Sequence, residues 1–128
     1  MAASTQVSDS ELVLMQLIWE KGGTALFAEI IDTVGQKKLE WKYNTVLTFL
    51  SRLVDKGFLS TNKIGRRNEY KAVISEQEYY AAQTRMFVDK VYDGNVIELV
   101  STLIAGGLVS AQEQEELRKL WKETPKDE

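Results

Sequence analysis

Apolar positions recur with helical spacing at the start of the chain, at Leu12, Met15, Ile18 and Trp19. Ser8 stands before them as an N-cap, and Glu11 follows three residues on, as a capping box requires. Val7 and Leu12 are spaced to close a hydrophobic staple, and Gly22-Gly23 ends this first helix. A second helix is expected over about residues 26–34, with Ala28, Ile30, Ile31 and Val34 as its apolar face, Thr24 as N-cap and Gly35 just beyond its end. A third is expected from about Tyr43 to Lys56, ending at Gly57. Val46, Leu50, Leu53 and Val54 fall on one side of it, and Asn44, Thr45, Thr48, Arg52 and Asp55 on the other.

The pattern then changes. Phe58–Lys63 and Glu69–Val73 read as two short strands around Ile64-Gly65-Arg66-Arg67-Asn68, a loop whose Gly and Asn tolerate turn geometry. Three short helices followed by a hairpin with Lys63, Arg66 and Arg67 near its tip spell a winged helix-turn-helix, with the third helix as recognition helix. Helical signals resume with a second capping box, Ser75 and Glu78, and a stripe of Tyr80, Thr84, Phe87 and Val91 that stops at Asp93-Gly94-Asn95. Val96, Ile97, Leu99, Val100, Leu103 and Ile104 make a strongly apolar helix, broken by Gly106-Gly107. Ser110 and Glu113 open a last one carrying Leu117, Leu120 and Trp121. Helices this short and apolar bury too little surface by themselves. Packing against a second copy is the economical solution; folding back onto the winged helix is the other. The expected fold class is mainly α with a small β-hairpin: a winged helix-turn-helix over 1–74, then a three-helix dimerisation domain over 75–128. Trp19 and Trp121 are expected in the core, and Trp41 as an anchor beside the first turn of helix 3.

Charge sharpens this picture. The chain of 128 residues carries a net charge of −3, but unevenly. Residues 37–71 hold nine basic residues (Lys37, Lys38, Lys42, Arg52, Lys56, Lys63, Arg66, Arg67, Lys71) and three acidic ones, between two acidic ends. A cationic middle sets up a local field suited to phosphate, or to an acidic protein. Cysteine and histidine are both absent. Disulfides, thiolate metal sites and Ser–His or Cys–His nucleophiles are therefore excluded. No paired carboxylates, Gly-rich phosphate loop or metal-ligand spacing points to an enzyme. No metal or cofactor is expected. No apolar run approaches the roughly 20 residues of a membrane span, and Met1–Ser8 lacks the basic and apolar parts of a secretory signal, so a cytoplasmic location is expected.

Taken together, several segments resemble the penicillinase and methicillin-resistance repressors (the BlaI/MecI type). They are Ser8–Leu12, Trp19–Gly22, Ala28–Ile31, Trp41 with Asn44–Val46, Leu50–Gly57, Gly65-Arg66, Tyr70, Val73–Glu76 and Phe87–Tyr92 before Gly94. The resemblance implies a homodimer that binds a two-fold symmetric operator in double-stranded DNA and represses transcription by blocking a promoter, in the context of antibiotic-resistance genes. It implies an upstream sensor-protease as a candidate partner. Where relatives carry a Ser or Thr cap and often Pro, this chain has Lys42 and Tyr43, and where they carry Lys or Arg it has Leu47. The cysteine motif of copper-responsive members is missing. The Asn-Phe pair cleaved in β-lactam-responsive members is not found around Thr102-Leu103. On this reading Lys42, Arg52, Lys63, Arg66, Arg67 and, as a further candidate, Lys56 hold phosphates, with Tyr43 as a phosphate donor or a core cap. Asn44, Thr45 and Thr48 reach base edges; Asn44 is also a candidate N-cap and Arg52 a candidate ion-pair partner of Asp55 or Glu29. Tyr80, Thr84, Phe87, Val91, Val96, Leu99, Val100, Leu103, Leu117, Leu120 and Trp121 form the pairing surface. A protein-interaction module and a ligand-sensing regulator without proteolytic induction are the alternatives.

Overall fold

The computed structural model describes residues 6–123. Its element order is α1 (Asp9–Glu20), β1 (Thr24–Leu26), α2 (Phe27–Gln36), α3 (Tyr43–Asp55), β2 (Leu59–Ile64), β3 (Arg67–Ala72), α4 (Glu76–Tyr92), α5 (Val96–Ala105) and α6 (Ala111–Glu123). The chain divides into two compact units, one up to Gln83 and one from Thr84.

Local signals set the helix starts. Ser8 Oγ accepts from Glu11 N at 3.2 Å while Glu11 Oε1 accepts from Ser8 N at 2.9 Å, closing the expected box on α1. The Ser75–Glu78 and Ser110–Glu113 boxes close in the same way. In the first unit α1, α2 and α3 enclose one core, with Leu14, Leu17, Ile18, Ile30, Val46, Leu50 and Leu53 essentially inaccessible to solvent. Burial of this apolar surface, rather than intrinsic helix propensity, holds three helices this short in place.

Three expectations for this unit need correction. Thr24 is not a cap. Thr24–Leu26 is a third strand, antiparallel to β3 with Ala25 opposite Tyr70, and the sheet order is β1-β3-β2. The N-cap of α2 is Leu26, whose N–H donates to Glu29 Oε1 at 2.7 Å, and α2 runs through Gly35 to Gln36. Ala28 is exposed, and the neighbouring Phe27 takes its place in the core. The hairpin is tighter than the loop expected. Ile64 pairs with Arg67, so the turn is only Gly65-Arg66, and Gly65 supplies the positive φ (65°) that a two-residue turn demands at its first position.

The first unit also reaches past the expected boundary at 74, because an aromatic cluster ties in the start of α4. Trp19 donates its indole N–H to the Ile74 carbonyl at 3.0 Å and lies 5.8 Å from Tyr79 and 6.0 Å from Tyr80 between ring centres. Phe58 meets Tyr79 edge-on at 5.6 Å. Tyr80, expected on the pairing surface, is thus part of the N-terminal unit, where its hydroxyl accepts from Gln16 Nε2.

In the second unit α5 and α6 bury none of their residues. Val96, Ile97, Val100, Ile104, Leu117, Leu120 and Trp121 are all exposed, Trp121 at 71%. Trp121 is therefore not a core residue of this chain. Among the described residues no helix is long and apolar enough to cross a membrane.

Candidate nucleic-acid interface

Helix α3 is fixed from both flanks by rings. Trp41, just before it, packs edge-on against Phe49 at 5.2 Å, and Phe27 of α2 packs edge-on against Tyr43 at 4.8 Å. With Val46, Leu50 and Leu53 buried, the helix has one rotational setting. Lys42, Tyr43, Asn44, Thr48 and Arg52 are then exposed, and Thr45 is half-buried. Lys42 is the N-cap and makes no side-chain capping bond, and no acidic residue lies in the first turn. Asn44 is thus not the cap. Its side chain is exposed and its carbonyl accepts from Thr48 Oγ1 at 3.0 Å. That bond uses the only hydroxyl proton Thr48 has, so its outward chemistry is a methyl group and oxygen lone pairs. Leu47 packs at the edge of the core.

The hairpin of β2 and β3 forms the wing. Lys63, Arg66 and Arg67 are exposed at its tip, and Arg52 is exposed on α3. Among the described residues, none of these four has a carboxylate within ion-pair distance, so neither Asp55 nor Glu29 neutralises Arg52. Four uncompensated cations divided between one helix face and one hairpin tip form an electropositive surface that can bind phosphates.

Lys56 is different. Its ammonium lies 2.7 Å from Glu11 Oε1 and also donates to the Gln6 carbonyl at 3.1 Å. It is engaged inside the fold, which removes it from the phosphate-binding set. In the sequence Lys56 is one more cation of a basic segment; its buried partner comes from another helix and has no local signal. Glu11 itself is 1% exposed. Burial alone would raise its pKa, but hydrogen bonds from Lys56 and the Ser8 backbone, with the Lys56 charge, outweigh it and hold the carboxyl below its ordinary value. A carboxylate depressed in the folded state adds stability above its unfolded pKa and loses it as pH falls through the folded one. Wild-type Tm is therefore expected to drop more steeply from pH 5 to pH 3 than that of Glu11→Gln. At pH 7 the variant should be less stable by about 2 kcal/mol, the worth of a hydrogen bond to a charged group. Thermal melts across that range check both.

Residues 7–123 match the penicillinase repressor family profile. The chain belongs to the penicillinase repressor family. It is 31% identical to the penicillinase repressor of Bacillus licheniformis, over 92% of this chain and 91% of that one. It is 30% identical to the methicillin resistance regulatory protein MecI of Staphylococcus aureus (strain N315), over 90% and 92%. The chain is similar to the solution structure of the Bacillus licheniformis BlaI monomeric form in complex with the blaP half-operator, with a TM-score of 0.50 and 36% identity over 58% of this chain and 88% of that one.

This family member also carries the apolar residues expected to pair. Phe87 (48% exposed) and Val91 of α4 continue the exposed apolar series of α5 and α6, and a cleft between those two helices is lined by Leu103, Leu108, Val109, Leu117 and Leu120. Thr84 is exposed and Leu99 half-buried in the same unit.

Proposed function

We propose that this protein is a homodimeric transcriptional repressor that binds a palindromic operator. On this reading α3 enters the major groove and the basic wing grips the flanking backbone. The observation that carries it is the set of uncompensated cations Arg52, Lys63, Arg66 and Arg67 on the recognition helix and wing of a penicillinase repressor family member. The related BlaI is known in complex with a half-operator. Lys42 joins the cations as a phosphate contact, with Tyr43 donating a hydroxyl. Asn44, Thr45 and Thr48 face base edges; Asn44 suits the N6/N7 edge of adenine, and the Thr48 methyl suits the methyl of thymine. The exposed apolar residues from Thr84 onward pair with a second copy. A two-fold dimer then sets two recognition helices on inverted half-sites.

An operator on a bacterial chromosome puts the working site in the cytoplasm, and genes of the resistance type are the expected targets. The chain does no chemistry itself. Relief of repression needs an outside signal, and an upstream sensor-protease is the candidate.

Selection of duplexes from a random pool by the purified protein tests this reading. An inverted repeat with half-sites about one or two helical turns apart is expected. With about four phosphate contacts per protomer, log affinity should fall against log salt with a slope on the order of −7. A pool that yields no enriched sequence, or binding indifferent to salt, refutes it.

A further inference from the structure

The capping-box pattern Ser-x-x-Glu occurs three times in the chain, and one copy does more than cap. In the Ser75–Glu78 and Ser110–Glu113 boxes the capping bonds are exposed, so capping a helix here does not require burying the glutamate. Glu11 is 1% exposed and its Oε1 serves two donors at once, the Ser8 N–H of its own helix and the Lys56 ammonium of another element. Lys56 is the C-cap of α3, directly before Gly57, whose φ of 87° swings the chain toward β2. The contact therefore lies at the joint between recognition helix and wing. Next to it the Gln6 carbonyl takes a second Lys56 bond, and Phe58, the residue after Gly57, packs on Tyr79.

We infer that Glu11 is a positioning residue for operator recognition: through Lys56 it sets the far end of the recognition helix and the root of the wing together. The inference rests on the DNA-binding reading above. An operator must be met by helix and wing at the same time, and small misplacements at a joint are magnified at the tips. Binding to arbitrary duplex depends on total phosphate contact and tolerates such shifts, whereas sequence discrimination does not. A capping role alone would alter stability and leave discrimination intact. A phosphate role for Lys56 would make release of its ammonium favourable to binding.

The test uses the full chain, one duplex selected by the wild type from a random pool, and one scrambled duplex. For Glu11→Gln the ratio of selected to scrambled affinity is expected to fall about tenfold, or about 1.4 kcal/mol, with affinity for the scrambled duplex and its salt slope unchanged. Ile30→Val, a core change of modest cost, serves as the comparison; it lowers Tm and keeps the ratio. Lys56→Gln leaves the α1 cap intact and covers the case in which Glu11→Gln does not fold. It should lose discrimination in the same way, again with the slope held. A Glu11→Gln protein that discriminates as well as the wild type, or binds DNA more tightly, overturns the inference. So does a slope that shrinks by about 0.9 per protomer in Lys56→Gln, the mark of a lost phosphate contact. Wild-type protein that cannot tell the two duplexes apart refutes the DNA-reading function itself, and this inference with it.

Discussion

Reversing two charges at the wing, Arg66→Glu with Arg67→Glu, is expected to lower operator affinity by about a thousandfold at 0.1 M salt. Both residues are exposed, and among the described residues neither has an acidic partner. They hold no part of the core, so the fold survives the change. If each contacts one phosphate, a dimer loses four contacts, and the salt slope shrinks from about −7 to about −4. The new carboxylates add repulsion on top. Fluorescence anisotropy over a range of salt concentrations reads both effects. Operator binding that withstood the reversal would favour the wing as a protein-docking element instead.

The second large effect is expected from the other end of the chain. Val100→Asp with Leu117→Asp puts carboxylates into the exposed apolar series of α5 and α6, where Val100 is 41% exposed and Leu117 53%. Neither side chain is buried in its own unit, so a single chain should keep its helices. A dimer that encloses these residues would have to desolvate four charges and would come apart. Each half-site would then be bound independently. The loss of avidity should weaken whole-operator binding by about a thousandfold while half-site affinity stays near the wild-type value. Sedimentation gives the assembly state and anisotropy on half- and whole-site duplexes gives the rest. A variant that remains dimeric would show that pairing uses other residues.

The parts of this fold that could be read in the sequence are those encoded locally. Each of the three Ser-x-x-Glu boxes closes where the spacing places it. The recognition helix starts at Tyr43 as expected, because Val46, Leu50 and Leu53 repeat at helical spacing over about two turns. What escaped was decided by distant contacts. Thr24–Leu26 is too short to show alternation and becomes a strand only because β3 offers it an edge. Tyr80 shares a stripe with Phe87, yet the ring of Trp19 draws it into the N-terminal unit. Lys56 looks like any other cation of the basic segment until Glu11 is found beside it. For the interface, residue type and position on the helix were enough to nominate Asn44, Thr48 and Arg52. That Asn44 is not the cap, and that Thr48 spends its proton on a carbonyl, depended on the backbone.

Strand β1, paired along β3, changes how the wing should behave. An isolated two-stranded ribbon is marginal in water and would flex from its base. Here β3 is held on both sides, with Leu26 opposite Glu69 on one edge and Asn62 opposite Glu69 on the other. The ribbon is anchored as far as Glu69, and only the few residues beyond that pair remain supple. Closing onto DNA then freezes one short loop and its arginine side chains rather than a whole arm. Less disorder is surrendered on contact, and more of the attraction is kept as affinity.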